Sequence, residues 1–173
     1  MEKKKMNQVL EAILSRRSIR KFTDDPVSKE DVSAVLEAGR WAPSGLNNQP
    51  WRFALIKDRA ALEALSRLTR YEDVVLSAAL CIAVFYHTAS GYNRDKDILG
   101  IGACIQNMML AAHSLSLGAA WLGEILNKKS DVNALLGLDD SYELLAVLAL
   151  GHPDERPGSE RRPMKELLVR SIG

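Results

Sequence analysis

Val9, Leu10, Ile13 and Leu14 recur at helical spacing, so Met6 to Leu14 predicts a first helix with a strongly basic exit at Ser15 to Ser18. Beyond the turn Asp24-Asp25-Pro26, Ser28 is placed to cap a second helix. Its Val32, Val35, Leu36 and Gly39 share a face, and Pro43 stops it. Pro43 to Trp51 is rich in turn formers and side-chain amides and reads as an ordered loop. Arg52 to Lys57 alternates as a strand, Asp58 to Leu68 is an amphipathic helix, and Ala79 to Tyr86 is an apolar run of strand length, the pattern of a central strand.

Asp97 opens the longest predicted helix, apolar nearly all round and running to about Leu117, with Gly118 as its C-cap. Ala119 to Leu122 then forms a short strand, Ser130 to Leu136 with Gly137 a short helix, and Tyr142 to Gly151 a second central strand. The tail from His152 is rich in Pro, Gly and Arg. Helices first, then strands separated by helices without regular alternation, predict an α+β sheet flanked by helices. A helix apolar on all sides needs more cover than one small sheet provides, which points to a homodimer interface or to burial within its own domain.

The length of 173 residues favours a single domain over 1–173. A net charge of +1 provides no global field for nucleic acid or an anionic membrane, so any anion site must be local. Ile98 to Gly123 carries no Asp, Glu, Lys or Arg, yet Gln106, Asn107, His113, Ser114 and Ser116 would each need a partner in hydrocarbon, so it reads as a buried helix and strand. Cys81 and Cys104 lie in apolar runs with no metal-ligand spacing and are expected as buried thiols. Met1-Glu2-Lys3-Lys4-Lys5 leads into mixed polarity and not into an apolar core, so a cytoplasmic setting is expected.

Phosphate-loop, zinc-protease and serine-hydrolase patterns are missing, and His87, His113 and His152 are scattered. Four segments carry chemistry instead. Arg16, Arg17, Ser18 and Arg20 offer three guanidiniums and a hydroxyl, which suit a phosphate dianion; the alternative is a solvated basic patch at a helix C-terminus. In Pro43 to Trp51, Ser44, Asn47, Asn48 and Gln49 could meet a planar heterocycle or satisfy one another. Trp121-Leu122-Gly123-Glu124 lies at a strand end, where glycine allows close approach of a ligand. Arg161 and Arg162 form a late basic pair that could close on the same anion or remain surface charge.

Together RRSIRKF, APSGLNNQPWRF, DILGIGACIQNMMLAAHSLSLGAAWLG and LGHPDERPGSERRP resemble the nitroreductase family of FMN-dependent oxidoreductases, in order and spacing, over about residues 10–170. The resemblance implies an α+β domain with a mixed central sheet, forming an intertwined homodimer with FMN at the interface. Arg16, Arg17, Ser18 and Arg20 would meet the FMN phosphate and ring, with Arg161 approaching the phosphate from the C-terminal side. Pro43, Ser44 and Asn47 would reach the FMN of the partner chain, and the backbone of Leu122 and Gly123 would lie by the flavin's reactive edge. Electrons would pass from NADH or NADPH through flavin N5 to a small electron-poor acceptor, a nitroaromatic or quinone, by a ping-pong route; one alternative is a specialised flavoprotein acting on one metabolite or on flavin itself without efficient use of NAD(P)H, and another is a non-enzymatic phospholigand or nucleic-acid binding module built on the basic clusters, against which the near-zero net charge counts. The resemblance requires no catalytic acid or base and no metal. Two departures bear on the acceptor: Thr88 to Arg94 is short for a lid, with Tyr92 and Arg94 either contacting donor or acceptor or forming an exposed turn, and Ser116 stands where the family often has Gly.

Overall fold

Short side-chain oxygens start four of the α-helices. In the computed structural model, which describes residues 7–171, Asn7 accepts from the Val9 N–H and opens α1 (Gln8–Ser15). Met6, expected in that helix, and the Met1 to Lys5 stretch lie outside the described residues. Ser28 caps α2 (Lys29–Arg40) through the Asp31 N–H, and Asp58 caps α3 (Arg59–Ser66) through the Ala61 N–H. Six-residue α4 (Glu72–Ser77) has no side-chain cap and is too short to show a helical period, so its sequence did not announce it.

Four strands follow the apolar runs: β1 (Trp51–Ile56), β2 (Leu80–His87), β3 (Gly118–Leu122) and β4 (Tyr142–Gly151). They form one sheet in the order β1-β2-β4-β3, with β2 and β4 central as expected. Every strand pair is antiparallel, which corrects the expected mixed sheet; the parallel contribution is an isolated bridge from Ser18 to Ala119 at the β3 edge.

The longest helix, α5 (Arg94–Ser114), begins three residues before Asp97, because the Asn93 side chain accepts from the Lys96 N–H. Its exit also differs from expectation. Ser116 takes the left-handed turn at φ 61°, and Gly118 is the first residue of β3, where any Cβ would press on Ile19. Gly137 does end α6 (Lys129–Leu136) in the left-handed conformation, at φ 66°.

The alternating strands bury both faces of the sheet. On one, Ile82, Val84, Leu148 and Leu150 meet Val32 and Val35 of α2 and Ile101, Ile105 and Met108 of α5. On the other, Ala83, Phe85, Val147 and Ala149 meet Leu62, Leu65, Val75 and Val132 from α3, α4 and α6. Each fully buried Leu or Ile in such a core contributes roughly 1.5–3 kcal/mol. Cys81 and Cys104 are buried and free, and burial pushes both thiols up to about 12.

Two surfaces remain uncovered. Helix α1 buries none of its residues, leaving Val9, Leu10, Ile13 and Leu14 exposed, and Leu99 of α5 is 75% exposed. No helix among the described residues is long and apolar enough to cross a membrane. The tail first runs beside residues 21–23, with the Thr23 N–H donating to His152 O and the Asp154 N–H to Lys21 O, both at 2.9 Å. It then lies on the surface through the short α7 (Met164–Leu167).

Candidate cofactor site

The basic exit of α1 is pinned to the sheet edge. The Ile19 N–H donates to Ala119 O at 3.0 Å, and the Arg20 N–H to Glu155 Oε1 at 2.5 Å. Arg17 turns back and donates through Nη1 to the carbonyls of Leu14 and Arg16, both at 2.8 Å, so its guanidinium caps the helix end. Arg16 has no such outlet. Its Nε and Nη1 are buried without a hydrogen-bond partner, and burial, together with the positive charges of Arg161 and Arg17, lowers its pKa. Buried guanidinium donors are expensive to leave unpaired, and the described chain supplies these two with no acceptor.

A cavity of about 210 Å³ is lined by Arg16, Arg17, Ser18, Arg20, Ser159 and Arg161 among others. The structure therefore gathers the predicted N-terminal cluster with Arg161 of the tail, while Arg162 does not line the cavity. Arg161 is oriented by donating to Ser159 Oγ and, at 2.8 Å, to Glu160 O. An adjoining, mostly apolar cavity of about 350 Å³ shares Arg16 and Arg17 and extends past Ile19, Met109 and Leu117.

Leu122 and Gly123 lie along the same edge. Strand β3 ends the sheet, and Leu122 stands three residues, about 10 Å, beyond Ala119. The Leu122 side chain is buried, so the chain offers a ligand its backbone there; apart from its two chain neighbours, no described residue comes within 4 Å of where a Gly123 Cβ would stand, so the strand end opens onto free space. Glu124 turns inward. It accepts from Thr69 Oγ1 at 2.9 Å and the Arg70 N–H at 3.0 Å, and these bonds hold its carboxyl below the usual range.

Pro43, Ser44 and Asn47 occupy a different place. The Ser44 carbonyl accepts from the Asn47 N–H and its hydroxyl from the Gln49 N–H, each at 3.1 Å, closing a tight loop. Leu46, Asn47 and Gln49 hold positive φ of 54°, 55° and 47°, and any Cβ on Gly45 would collide with the Tyr92 hydroxyl. This loop abuts Gly100 in the second turn of α5, whereas the arginine cluster sits by His113 in its last turn. At about 1.5 Å per residue the two positions are about 20 Å apart along the helix. One chain therefore does not bring Pro43, Ser44 and Asn47 to Arg16, Ser18 and Arg20.

Arg94 is engaged elsewhere: it donates to Glu143 through Nη2 at 2.8 Å and Nε at 3.2 Å, and Lys129 Nζ meets the same carboxylate at 2.7 Å. Tyr92 is partly exposed, with its ring seated over Gly45. Asp97, which the sequence marks only as a helix opener, and Asn48, one of the loop amides offered to a heterocycle or to its own loop, bond to each other at 2.8 Å. Asp97 is 1% exposed, but it follows Arg94, Asp95 and Lys96 in the charged first turn of α5, so the sequence carried no signal that set it apart.

An arginine-lined cavity at the edge of an antiparallel sheet, continuing to an open strand end, is the geometry this α+β chain offers a ligand. Comparison with known proteins agrees. The profile of the Nitroreductase family matches residues 13–80 and 66–152. A nitroreductase from Desulfovibrio desulfuricans, solved in complex with FMN, superposes with a TM-score of 0.94 at 48% identity, over 97% of this chain and 99% of that one. The NADPH-flavin oxidoreductase of Vibrio harveyi and the oxygen-insensitive NADPH nitroreductase of Salmonella typhimurium are each 33% identical, over 95% of this chain and 73% of their own length. The chain belongs to the nitroreductase family.

Proposed function

We propose that the protein is an FMN-dependent NAD(P)H oxidoreductase that works as a homodimer on a small electron-poor acceptor such as a nitroaromatic or quinone. The observation that carries this reading is Arg16, whose buried Nε and Nη1 have no partner and whose side chain lines a cavity together with Ser18, Arg20 and Arg161. A phosphate dianion supplies the acceptors these donors lack, by charge-assisted bonds. FMN, when bound, supplies the two-electron chemistry between nicotinamide and acceptor.

This chain's own residues bind and orient. Arg16, Arg20 and Arg161 neutralise the phosphate, Ser18 adds a hydroxyl, and Arg17 fixes the helix end from which Arg16 projects. The backbone of Leu122 and Gly123 lines the open strand end, where glycine leaves room for a planar ring and its donor. Pro43, Ser44 and Asn47 act on the second chain's cofactor. Apposing two α5 helices in opposite directions spans the separation of about 20 Å between loop and arginine cluster. The exposed Val9, Leu10, Ile13, Leu14 and Leu99 supply apolar surface for that interface. Buried free thiols at Cys81 and Cys104 fit a reducing, cytoplasmic setting.

The test is the visible spectrum of the purified protein, followed by anaerobic NADH and then NADPH. A yellow protein that bleaches with either donor is the expected result. Yellow without bleaching would replace the reductase by a specialised flavoprotein on the same site, and a colourless protein that refuses added FMN would overturn the reading.

A further inference from the structure

Asp97 is the one buried carboxylate among the described residues, and no cation pairs with it. Its charge is met by neutral donors. Oδ1 accepts from Asn48 Nδ2 at 2.8 Å, and Oδ2 accepts from the Tyr92 N–H at 3.0 Å, the Asn93 N–H at 3.1 Å and the Tyr86 hydroxyl at 3.4 Å. Burial pushes this carboxyl up, but the bonds from Asn48, Tyr92, Asn93 and Tyr86 prevail and hold it below its ordinary value. One oxygen thus holds the loop and the other the turn at 92–93, both from the first turn of α5.

The loop needs such an anchor. Three residues with side chains at positive φ within four positions each carry strain, and they persist only where the surroundings fix them. Most hydrogen bonds of the loop between Ser44 and Gln49 close on itself; the Asn48 amide ties its interior to the rest of the chain, at Asp97 Oδ1 and at Ser90 O, 3.0 Å away. The same Asp97 fixes Tyr92, whose ring covers Gly45, so the loop is held from both sides.

We infer that Asp97 is a positioning residue for the cofactor: through Asn48 it holds Pro43, Ser44 and Asn47 in the shape that contacts the FMN bound by the partner chain. This rests on the two-chain site proposed above. Removing the link loosens the loop, so FMN binds about tenfold more weakly, the factor a lost hydrogen bond to a charged group can account for.

The experiment titrates FMN into dimers of Asp97→Asn and of Asn48→Ala, with melting temperature read in parallel. Asn48→Ala keeps the backbone bonds to Asp97 and serves if Asp97→Asn does not fold. Both should weaken FMN about tenfold; unchanged affinity in the folded variants, whatever the melting temperature, overturns the proposal. Hybrid dimers then locate the effect. Pairing the Asp97→Asn chain with an Arg16→Ala/Arg20→Ala chain leaves one site with intact arginines and an intact loop, so half the tight FMN sites should return. A parallel hybrid with Ser44→Trp, which blocks the loop surface directly, tests the two-chain site itself. Recovery with Ser44→Trp but not with Asp97→Asn sinks the role of Asp97 alone, and recovery with neither sinks the two-chain site and the proposal with it.

Discussion

Ser15 Oγ lies 2.8 Å from His113 Nε2, tying the last turn of α1 to the last turn of α5. The hydroxyl donates its hydrogen to Glu11 O at 2.7 Å, so it is the imidazole N–H that donates to Ser15. This bond sets the end of α1 one residue before Arg16 and so helps fix where the orphaned guanidinium points.

Arg16→Met tests that guanidinium in both directions. Without ligand, the change removes two buried, unpaired donors from a partly buried guanidinium, so the melting temperature of the flavin-free protein should hold or rise. With FMN in excess the order should reverse, because the variant loses its stabilisation by ligand. Scanning fluorimetry with and without FMN checks both, and equal FMN-induced shifts in variant and parent would remove Arg16 from the site.

Ser116 holds φ 61° at the exit of α5, a conformation glycine adopts without strain. Ser116→Gly should therefore stabilise the protein by about 0.5–1 kcal/mol, less than the full steric relief because glycine also gains freedom when unfolded. Urea denaturation measures it, and a loss of stability would show that the serine side chain is needed there.

Gly45→Ala places a Cβ against the Tyr92 hydroxyl and ring, so it should distort the loop and weaken FMN. Adding Tyr92→Ala clears the space. The double variant should recover part of the lost affinity, and a double variant no better than Gly45→Ala would mean that Tyr92 is not the obstacle.

Acid should weaken the fold through Glu143. Bonds from Arg94, and then Lys129, hold its carboxyl below its ordinary value. A lowered folded value means that this stabilisation is complete above the unfolded carboxyl's pKa of about 4.3 and drains as pH falls through the folded value. Glu143→Gln should flatten the fall in urea midpoint below about pH 4 relative to the parent; parallel curves would exclude the contribution.

The central strands were legible because Leu80 to Tyr86 and Tyr142 to Gly151 are apolar runs with little polar interruption, and the arginine cluster because its residues are neighbours in sequence. Helix α4 was not, since one and a half turns leave no period to read. The end of α5 misled for another reason: a serine took the turn that the nearby glycine advertised, because Gly118 was needed where Ile19 crosses β3. The anchoring role of Asp97 was invisible because its donors, Asn48 and the 92–93 backbone, converge only once loop, turn and helix are folded together.

Cys81 in β2 and Cys104 in α5 have a practical consequence. Alkylating reagents attack thiolates, and with both thiols pushed up to about 12 and buried, the native protein holds almost none at neutral pH. Labelling must wait for the molecule to open. Because the two sulfurs sit in the sheet and in the long helix, their modification rates serve as two internal clocks, which run together if those layers part in one event and separately if one opens before the other.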